Sequence, residues 1–524
     1  MIRLVSVAEM RAIEREGDAR GVTYADMMER AGRGLAQVVR QTCSHLHPKV
    51  ALGLIGSGNN GGDTLVALAA LAESGWQVRA YLVRPREAED VYLARLIQTG
   101  GQVCDQAEDP GRLVLDDWLA TTGILLDGVL GTGVQLPLRP ELEEILAHVG
   151  RFQNLPPVVA VDCPSGVDCD SGEASPATLR AAMTICMDAI KIGLLKFPAN
   201  DYVGEIVTVG LGLPEDLAAL KKSSTFVANA QEVRAWLPPR PRTAHKGTFG
   251  TLMIVAGCKW YPGAAGLAGE AAYRVGTGLV QMAVPASLQV GLIGRLLEVT
   301  WLPLPETDGG INAMAEELIR NNLERVNTLL IGPGFGQQPG TAEFIRALFS
   351  RPAGLPPCVV DADGLRLLAK IPGWHKLLPP DAILTPHPGE MSALTGLRVD
   401  EIQADRLAAA QKFACRWGHT VVLKGAFSVI ASPDGRVHVI PVATAALARA
   451  GSGDVLAGMI AGLRAQGAAS YEAAVSAAWI HGQAGLVAEK ALGHSASVLA
   501  GDVLAAVPGV LKRLAEEDWV VRIR

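Results

Sequence analysis

KVALGLIGSGNNGGDTLVALAALAESG, residues 49–75, decides how the first half of this chain folds. It opens on a short apolar run, 49–54, that suits a buried strand, and closes on an apolar-rich helical pattern that stops near Gly75. Between them lies IGSGNNGGD, residues 55–63, with four glycines, two asparagines and one aspartate. Glycine weakens regular structure and recurs where backbone must bend or come close to something. The glycines therefore mark a strand-to-helix turn, where backbone N–H groups and a helix N-terminus favour anions. Gly56-x-Gly58-x-x-Gly61 matches the spacing of a dinucleotide fingerprint. Asn59, Asn60 and Asp63 crowd that turn with oxygen-bearing side chains, which points to a polar ligand or a cation as well as phosphate. The competing reading is a plain tight turn.

The same alternation continues outward. Strand patterns fall at 50–55, 78–83, 123–126, 158–161, 183–187 and 205–209, with helical periods between them such as 63–73 and 141–148. This predicts an α/β unit with a parallel sheet covered on both faces. From Lys221 to Gly247 the pattern breaks into charge, serine and the prolines Pro238, Pro239 and Pro241, which reads as an interdomain connection. A second α/β series follows, with strands at 251–255, 278–284, 328–331, 358–360, 382–384, 420–423 and 428–431. Two domains are expected, residues 1–222 and 226–521.

Hydrophobic residues make up 49% and charged residues 19% of the 524, the balance of a globular enzyme rather than a disordered chain. The net charge of −6 points away from nucleic acid and anionic membrane as partners. Eight cysteines are scattered without a CxxC pair, so neither a zinc site nor a redox motif is expected, and reduced thiols in a cytoplasmic protein are. The first residues, MIRLVSVAEMRAIERE, read as the start of an amphipathic helix with internal charges, not a signal peptide. No apolar run is long enough for a transmembrane helix.

Two further post-strand loops of the first domain carry polar residues: LLDGVLGTGVQLPL, with Asp127, and VVAVDCPSGVD, with Asp162 and Ser165. Open α/β sheets bind ligands beyond the carboxyl ends of their strands, so the three loops can face one crevice. A hard cation there would want oxygen ligands. Asn60, Asp127 and Ser165 supply an amide, a carboxylate and a hydroxyl, a set that suits a monovalent ion. Asp127 and Asp162 could instead serve only as caps.

GSGNNGGD, DGVLGTG and VDCPSG, in this order, together with MMERAG at 27–32 and KIGLLKF at 191–197, resemble the epimerase domain of the NAD(P)H-hydrate repair family. The likeness covers most of residues 1–215 and implies a Rossmann-like three-layer domain that interconverts the R and S hydrates of NADH and NADPH at nicotinamide C6. It also implies that Asn59, Asn60, Gly61, Gly62, Asp63, Gly131, Thr132, Gly133, Val134, Gln135, Leu136, Pro137 and Asp162 bind the hydrated nucleotide. Asn60, Asp127 and Ser165 would hold potassium. Asp63 and Asp162 are the acid–base candidates, since moving a hydroxyl at C6 requires proton transfer. Thr64 stands where the family has glycine, at the edge of the expected pocket.

In the second domain, ARAGSGDVLAGMIAGLRAQG starts at Ala448. The turn Gly451-Ser452-Gly453 opens an apolar helix with Asp454 in its first turn. Backbone N–H groups there can hold a phosphate oxyanion, and the aspartate can take a proton from an attacking hydroxyl. The pattern resembles the ribokinase-like fold. With HKGTFG, IGPGFG, VDADGL, TPHPGEM and VVLKGAFSVI, it resembles the ADP/ATP-dependent NAD(P)H-hydrate dehydratase domain over about residues 243–510. The resemblance implies phosphorylation of the C6 hydroxyl of the S hydrate, then loss of phosphate. Asp454 is the expected base and Gly453 part of the anion hole. Lys424, Gly425, Ala426, Phe427 and Ser428 would lie along the adenylate, and Ala264, Gly334, His387 and Asp454 would meet the hydrate. Magnesium would come with ADP or ATP; the two-domain form resembles the bacterial and archaeal enzymes that use ADP. Phe427, Arg449 and Ala450 depart from the family pattern, leaving Arg449 as a phosphate clamp or a modifier of donor choice. Small-molecule substrates and a homo-oligomer are expected. The alternatives are a ribokinase-like small-molecule kinase with a regulatory nucleotide-binding N-terminal domain, and a nucleotide sensor with vestigial chemistry.

Overall fold

The computed structural model describes residues 1–43, 47–87 and 89–516 and divides the chain into two compact units, with the break between Thr225 and Phe226. Among the described residues, the N-terminal unit has a seven-stranded sheet in the order Gln102–Asp105, Gln77–Leu82, Val50–Ile55, Ile124–Gly128, Val158–Val161, Met183–Met187, Glu205–Val209. Every neighbouring pair is parallel. The chain runs outward from Val50–Ile55 in one direction and then returns to its other side with Ile124–Gly128, so a topological switch point lies between these two strands. Successive strand residues serve opposite faces. Ile124 and Leu126 join one apolar cluster with helix Asn59–Ala72, and Leu125 joins a second with helices Leu113–Thr121 and Pro140–Gly150. This is the three-layer arrangement expected.

The N-terminus corrects one expectation. Ile2–Val5 is a strand, paired in parallel with Ile190–Lys191, and the amphipathic helix begins only at Val7. Ser6 sets that boundary with a capping box, its hydroxyl accepting from the Glu9 N–H while the Glu9 carboxylate accepts from the Ser6 N–H. Four residues are too few for alternation to outweigh the helical period that follows.

The C-terminal unit has a sheet ordered Thr300–Leu304, Leu279–Pro285, Thr251–Val255, Thr328–Ile331, Cys358–Val360, Ile383–Leu384, Thr420–Leu423, then Val429–Ala431 and Val437–Val439. It is parallel as far as Thr420–Leu423 and antiparallel beyond. Alanine-rich helices Pro262–Arg274, Ser452–Ala465 and Ser470–Leu492 share one apolar core with strand residues such as Leu252, Ile254 and Leu330. The stretch expected as a connection is more ordered than its composition promised. Helix Ala230–Trp236, capped by Asn229, buries Ala230 and Val233 in this core.

No helix among the described residues is long and apolar enough to cross a membrane.

Candidate active sites

The glycine-rich turn after Val50–Ile55 is mostly helix. Helix Asn59–Ala72 starts at Asn59, with Gly58 as its cap residue, so Asn59 to Asp63 form its first turns rather than a loop. Gly56 explains the tight spacing. A Cβ there would run into the Val129 carbonyl of the loop after Ile124–Gly128, so only glycine lets the two loops close the switch point. Arg86 donates to the Gly56 carbonyl at 2.6 Å and pairs with Asp90, bracing the turn from outside.

These loops enclose a cavity of about 810 Å³. Its walls include Asn59, Asn60, Asp63, Gly131, Thr132, Gly133, Val134, Gln135, Pro137 and Asp162 of the predicted set. Gly61, Gly62 and Leu136 are not on its surface: Gly62 backs onto Met28, and Leu136 packs on the apolar cluster behind the loop. Thr64 is likewise outside. It is wholly buried, and its hydroxyl donates to the Asn60 carbonyl at 2.6 Å within the helix, so it does not narrow the pocket.

Asn60, on the wall, meets Asp127 and Ser165 just behind it through the Leu130 backbone. Both Asp127 oxygens accept from Ser165, from the hydroxyl at 2.6 Å and the N–H at 2.8 Å. The Ser165 hydroxyl in turn accepts from the Leu130 N–H at 2.9 Å. The Asn60 amide donates to the Leu130 and Val161 carbonyls at 3.1 and 2.5 Å. Burial pushes the Asp127 carboxyl above its ordinary pKa, and it has no ion-pair partner among the described residues.

Asp63 and Asp162 face the cavity under different fields. Asp162 is ion-paired with Lys191, whereas Asp63 has no such partner among the described residues. Burial first, then the charges of Asp162 and Glu14, raise the Asp63 pKa well above its ordinary value against a smaller opposing pull from Lys191. Glu14 and Arg11, both on helix Val7–Ala19, complete the wall. The sequence reading missed both, because nothing local ties the N-terminal helix to loops far along the chain.

In the C-terminal unit four adjacent parallel strands deliver residues at their carboxyl ends. Gly334 follows Thr328–Ile331, Asp361 follows Cys358–Val360, His387 follows Ile383–Leu384 and Lys424 follows Thr420–Leu423. Lys424 Nζ lies 2.7 Å from Asp361 and 3.7 Å from Glu390. Burial pulls the Lys424 pKa down, but Asp361 and Glu390 outweigh it and the net movement is upward. The ammonium also approaches Gly453, 3.5 Å from where a Cβ would stand. Asp454 lies beside them in the first turn of Ser452–Ala465. Burial, and next Asp361, push its carboxyl up to about 7, with Lys424 opposing.

His387 caps helix Pro388–Thr395. Its Nδ1 accepts from the Gly389 and Glu390 N–H groups at 3.0 and 3.3 Å, which leaves Nε2 to carry the proton toward Glu390 Oε1 at 3.1 Å. Gly334, at φ +65°, sits against Ala264, bringing two predicted residues together. Gly425 and Ser428 close a small turn, in which the Ser428 hydroxyl donates to the Gly425 carbonyl at 2.9 Å. Phe427, at φ +52°, is buried and donates its N–H to the Val442 carbonyl at 3.0 Å, while Ala426 is exposed. Arg406 lies over Gly425 and donates to the Leu423 carbonyl at 3.0 Å, with burial pulling its pKa down to about 10. Asp361, Glu390 and Arg406 were missed as site residues, although VDADGL and HPGE had marked the first two segments.

One unit thus offers two carboxylates in one cavity, the other a high-pKa aspartate at a helix N-terminus beside a lysine: a two-domain α/β enzyme for acid–base and group-transfer chemistry on nucleotides. A family model described as NAD(P)H-hydrate dehydratase matches residues 252–508, and one described as YjeF-related protein N-terminus matches 24–193. The bifunctional NAD(P)H-hydrate repair enzyme of Moorella thermoacetica is 35% identical over 98% of this chain and 97% of its own. That of Escherichia coli is 32% identical over 91% and 88%. The ADP/ATP-dependent NAD(P)H-hydrate dehydratase of Bacillus subtilis, crystallised with ATP and Mg2+, is 33% identical over 54% of this chain and 97% of its own, with a TM-score of 0.47. The chain belongs to the bifunctional NAD(P)H-hydrate repair enzymes, which join an epimerase to a dehydratase. The small-molecule kinase alternative is not favoured.

Proposed function

We propose that the N-terminal cavity interconverts the R and S hydrates of NADH and NADPH at C6, and that the C-terminal site dehydrates the S hydrate at the expense of ADP or ATP. The observation that carries this reading is Asp454, a carboxyl held at about 7 beside Gly453 and Lys424. A base of that strength takes the C6 hydroxyl proton at neutral pH as the hydroxyl attacks the terminal phosphoryl group. The Gly451 to Gly453 turn stabilises the transferred group through backbone N–H donors. Phosphate then leaves with the C6–O bonding pair, C5 gives up a proton, and the C5–C6 double bond of the nicotinamide returns. Lys424, Gly425, Ala426, Phe427 and Ser428 line the adenylate, and Ala264, Gly334 and His387 the hydrate.

Potassium fits the N-terminal site. Asp127 is a buried carboxylate with no cationic side chain on it among the described residues, and Asn60 and Ser165 add neutral oxygens beside it. Asn60, Asp127 and Ser165 would hold the ion, which would neutralise that charge and fix the loops of the switch point. Magnesium fits the C-terminal site as an ion brought by nucleotide phosphates. Asp361 and Glu390 are engaged by Lys424, so these residues form no all-protein cage, the usual case for this ion. We place the protein in the cytoplasm as a homo-oligomer acting on small molecules, without nucleic-acid or membrane partners.

The test is absorbance recovery from mixed R and S NADH hydrate, with ADP, ATP or neither. Complete recovery that requires a nucleotide supports both activities and identifies the donor. Recovery of the S fraction alone removes the epimerase, and no recovery removes the dehydratase.

A further inference from the structure

Lys191 opens the KIGLLKF segment. It is 1% exposed, and its Nζ is bonded to Asp162 Oδ1, with the Met187 carbonyl as a further acceptor at 3.4 Å. Burying an ammonium is costly unless a charge answers it, and Asp162 is its ion-pair partner among the described residues. Asp162 is itself tightly held. Its φ is +65°, rare for a residue with a side chain, and its Oδ1 also accepts from the Met187 N–H at 2.9 Å. Asp162 also lines the cavity.

We infer that Lys191 is a positioning residue of the epimerase, holding Asp162 as the carboxylate that accepts protons and leaving Asp63 as the acid that donates them. The assignment rests on the epimerase reading of this cavity. C6 of the hydrate carries both a hydroxyl and the ring nitrogen, so it is a hemiaminal carbon. Asp162 takes the hydroxyl proton, the C6–N1 bonding pair passes to N1, and Asp63 protonates N1, giving an open-chain aldehyde. Rotation about C5–C6 and the reverse transfers close the ring on the other face. Protons and electrons balance, and no redox partner is needed. The division of labour is built into the surroundings: the buried Lys191 ammonium is bonded to Asp162, and the environment of Asp63 favours its neutral form. The other groups facing this pair are Glu14 and Arg11 on helix Val7–Ala19, Asp188 after strand Met183–Met187, and the thiols of Cys163, Cys169 and Cys186. The Cys163 thiol is raised by its hydrogen bond with Cys169 and by burial, the Cys186 thiol by burial, and Glu14 is raised by burial first and then by Asp162 and Asp188, with Lys191 and Arg11 opposing.

The test uses full-length K191M and K191R, with R-to-S conversion followed across pH and dehydration of pure S hydrate by the same chain as the internal control. K191M should lower epimerase kcat about 100-fold or more at neutral pH, displace the low-pH limb of its profile upward, and leave KM within about threefold. K191R should keep the limb in place, and S-hydrate dehydration should be unaffected in both. A K191M profile identical to wild type, or K191R as impaired as K191M, overturns the assignment. If K191M does not fold, 13C-aspartate NMR of the wild type, assigned with D162N, decides: an Asp162 signal in the neutral-acid position at pH 7 overturns it, and a carboxylate signal supports it. A wild type that does not interconvert the hydrates removes the epimerase reading itself. An active wild type with an insensitive K191M removes only the role of Lys191.

Discussion

The Lys424 ammonium is held 2.7 Å from Asp361, so the cation beside the Gly453 turn is already paired before any phosphate arrives. The pair sets the field on Asp454 from both sides. Asp361 raises that carboxyl and Lys424 lowers it, while burial is the largest upward cause. A lysine in this position can move toward an incoming phosphoryl oxygen while Asp361 and Glu390 keep it protonated.

Asp454→Asn should trade activity for stability. Dehydration falls about 100-fold or more, as expected for loss of a general base, while R-to-S conversion by the same chain is unchanged. In the unfolded chain the carboxyl ionises near 3.8, in the folded one at about 7. Folding therefore holds the proton more tightly, and the wild type loses stability as pH rises from about 4 to about 7. That difference has a ceiling of about 4 kcal/mol. Thermal melts should show D454N and wild-type chains alike near pH 4 and the variant several degrees more stable at pH 8. A melting difference independent of pH would contradict the raised carboxyl.

Potassium should stabilise the fold measurably. Asp127 is wholly buried, and burial keeps its carboxyl high when no cation answers it. Adding KCl against tetramethylammonium chloride at constant ionic strength should raise Tm and speed R-to-S conversion, with saturation. Asp127→Asn should abolish both responses. An equal rise in Tm for that variant would mean the ion binds elsewhere.

How far the sequence led depends on whether a signal was local. Gly56, Asn60 and Asp63 sit on one strand-turn-helix unit, and a glycine spacing that only close loop contact requires is readable there. Asp454 is readable for the same reason, because its turn and helix are contiguous. Glu14, Lys191, Asp361 and Glu390 act across long separations, and their surroundings become charged clusters only when parallel strands bring their ends together. Ile2–Val5 escaped because its partner, Ile190–Lys191, lies far along the chain. The N-terminal strand and Lys191 belong together in the structure, and both were opaque for one reason.

Thr64→Ala should leave the cavity alone. The Thr64 hydroxyl donates back to the Asn60 carbonyl inside helix Asn59–Ala72, and the side chain is away from the walls. Losing one buried hydrogen bond and a methyl group costs about 1–2 kcal/mol. The hydrate KM should stay within about twofold, read by R-to-S conversion, while Tm falls by a few degrees. A KM change of tenfold without loss of Tm would mean that Thr64 shapes the pocket after all.

Arg449 is the charged departure beside the anion hole, and its guanidinium is used elsewhere. It donates to the Ala496 carbonyl, on the surface. A phosphate clamp would contribute a charge-assisted hydrogen bond of about 1.5–3 kcal/mol, enough to change nucleotide affinity about tenfold or more when removed. A surface contact to a carbonyl contributes about 0.5 kcal/mol or less. Arg449→Met should therefore change the KM for ADP and for ATP by less than about threefold each and leave their ratio intact, as steady-state dehydration at saturating S hydrate will show. A rise of tenfold in either KM would return Arg449 to the phosphate and require the Ala496 contact to break when nucleotide binds.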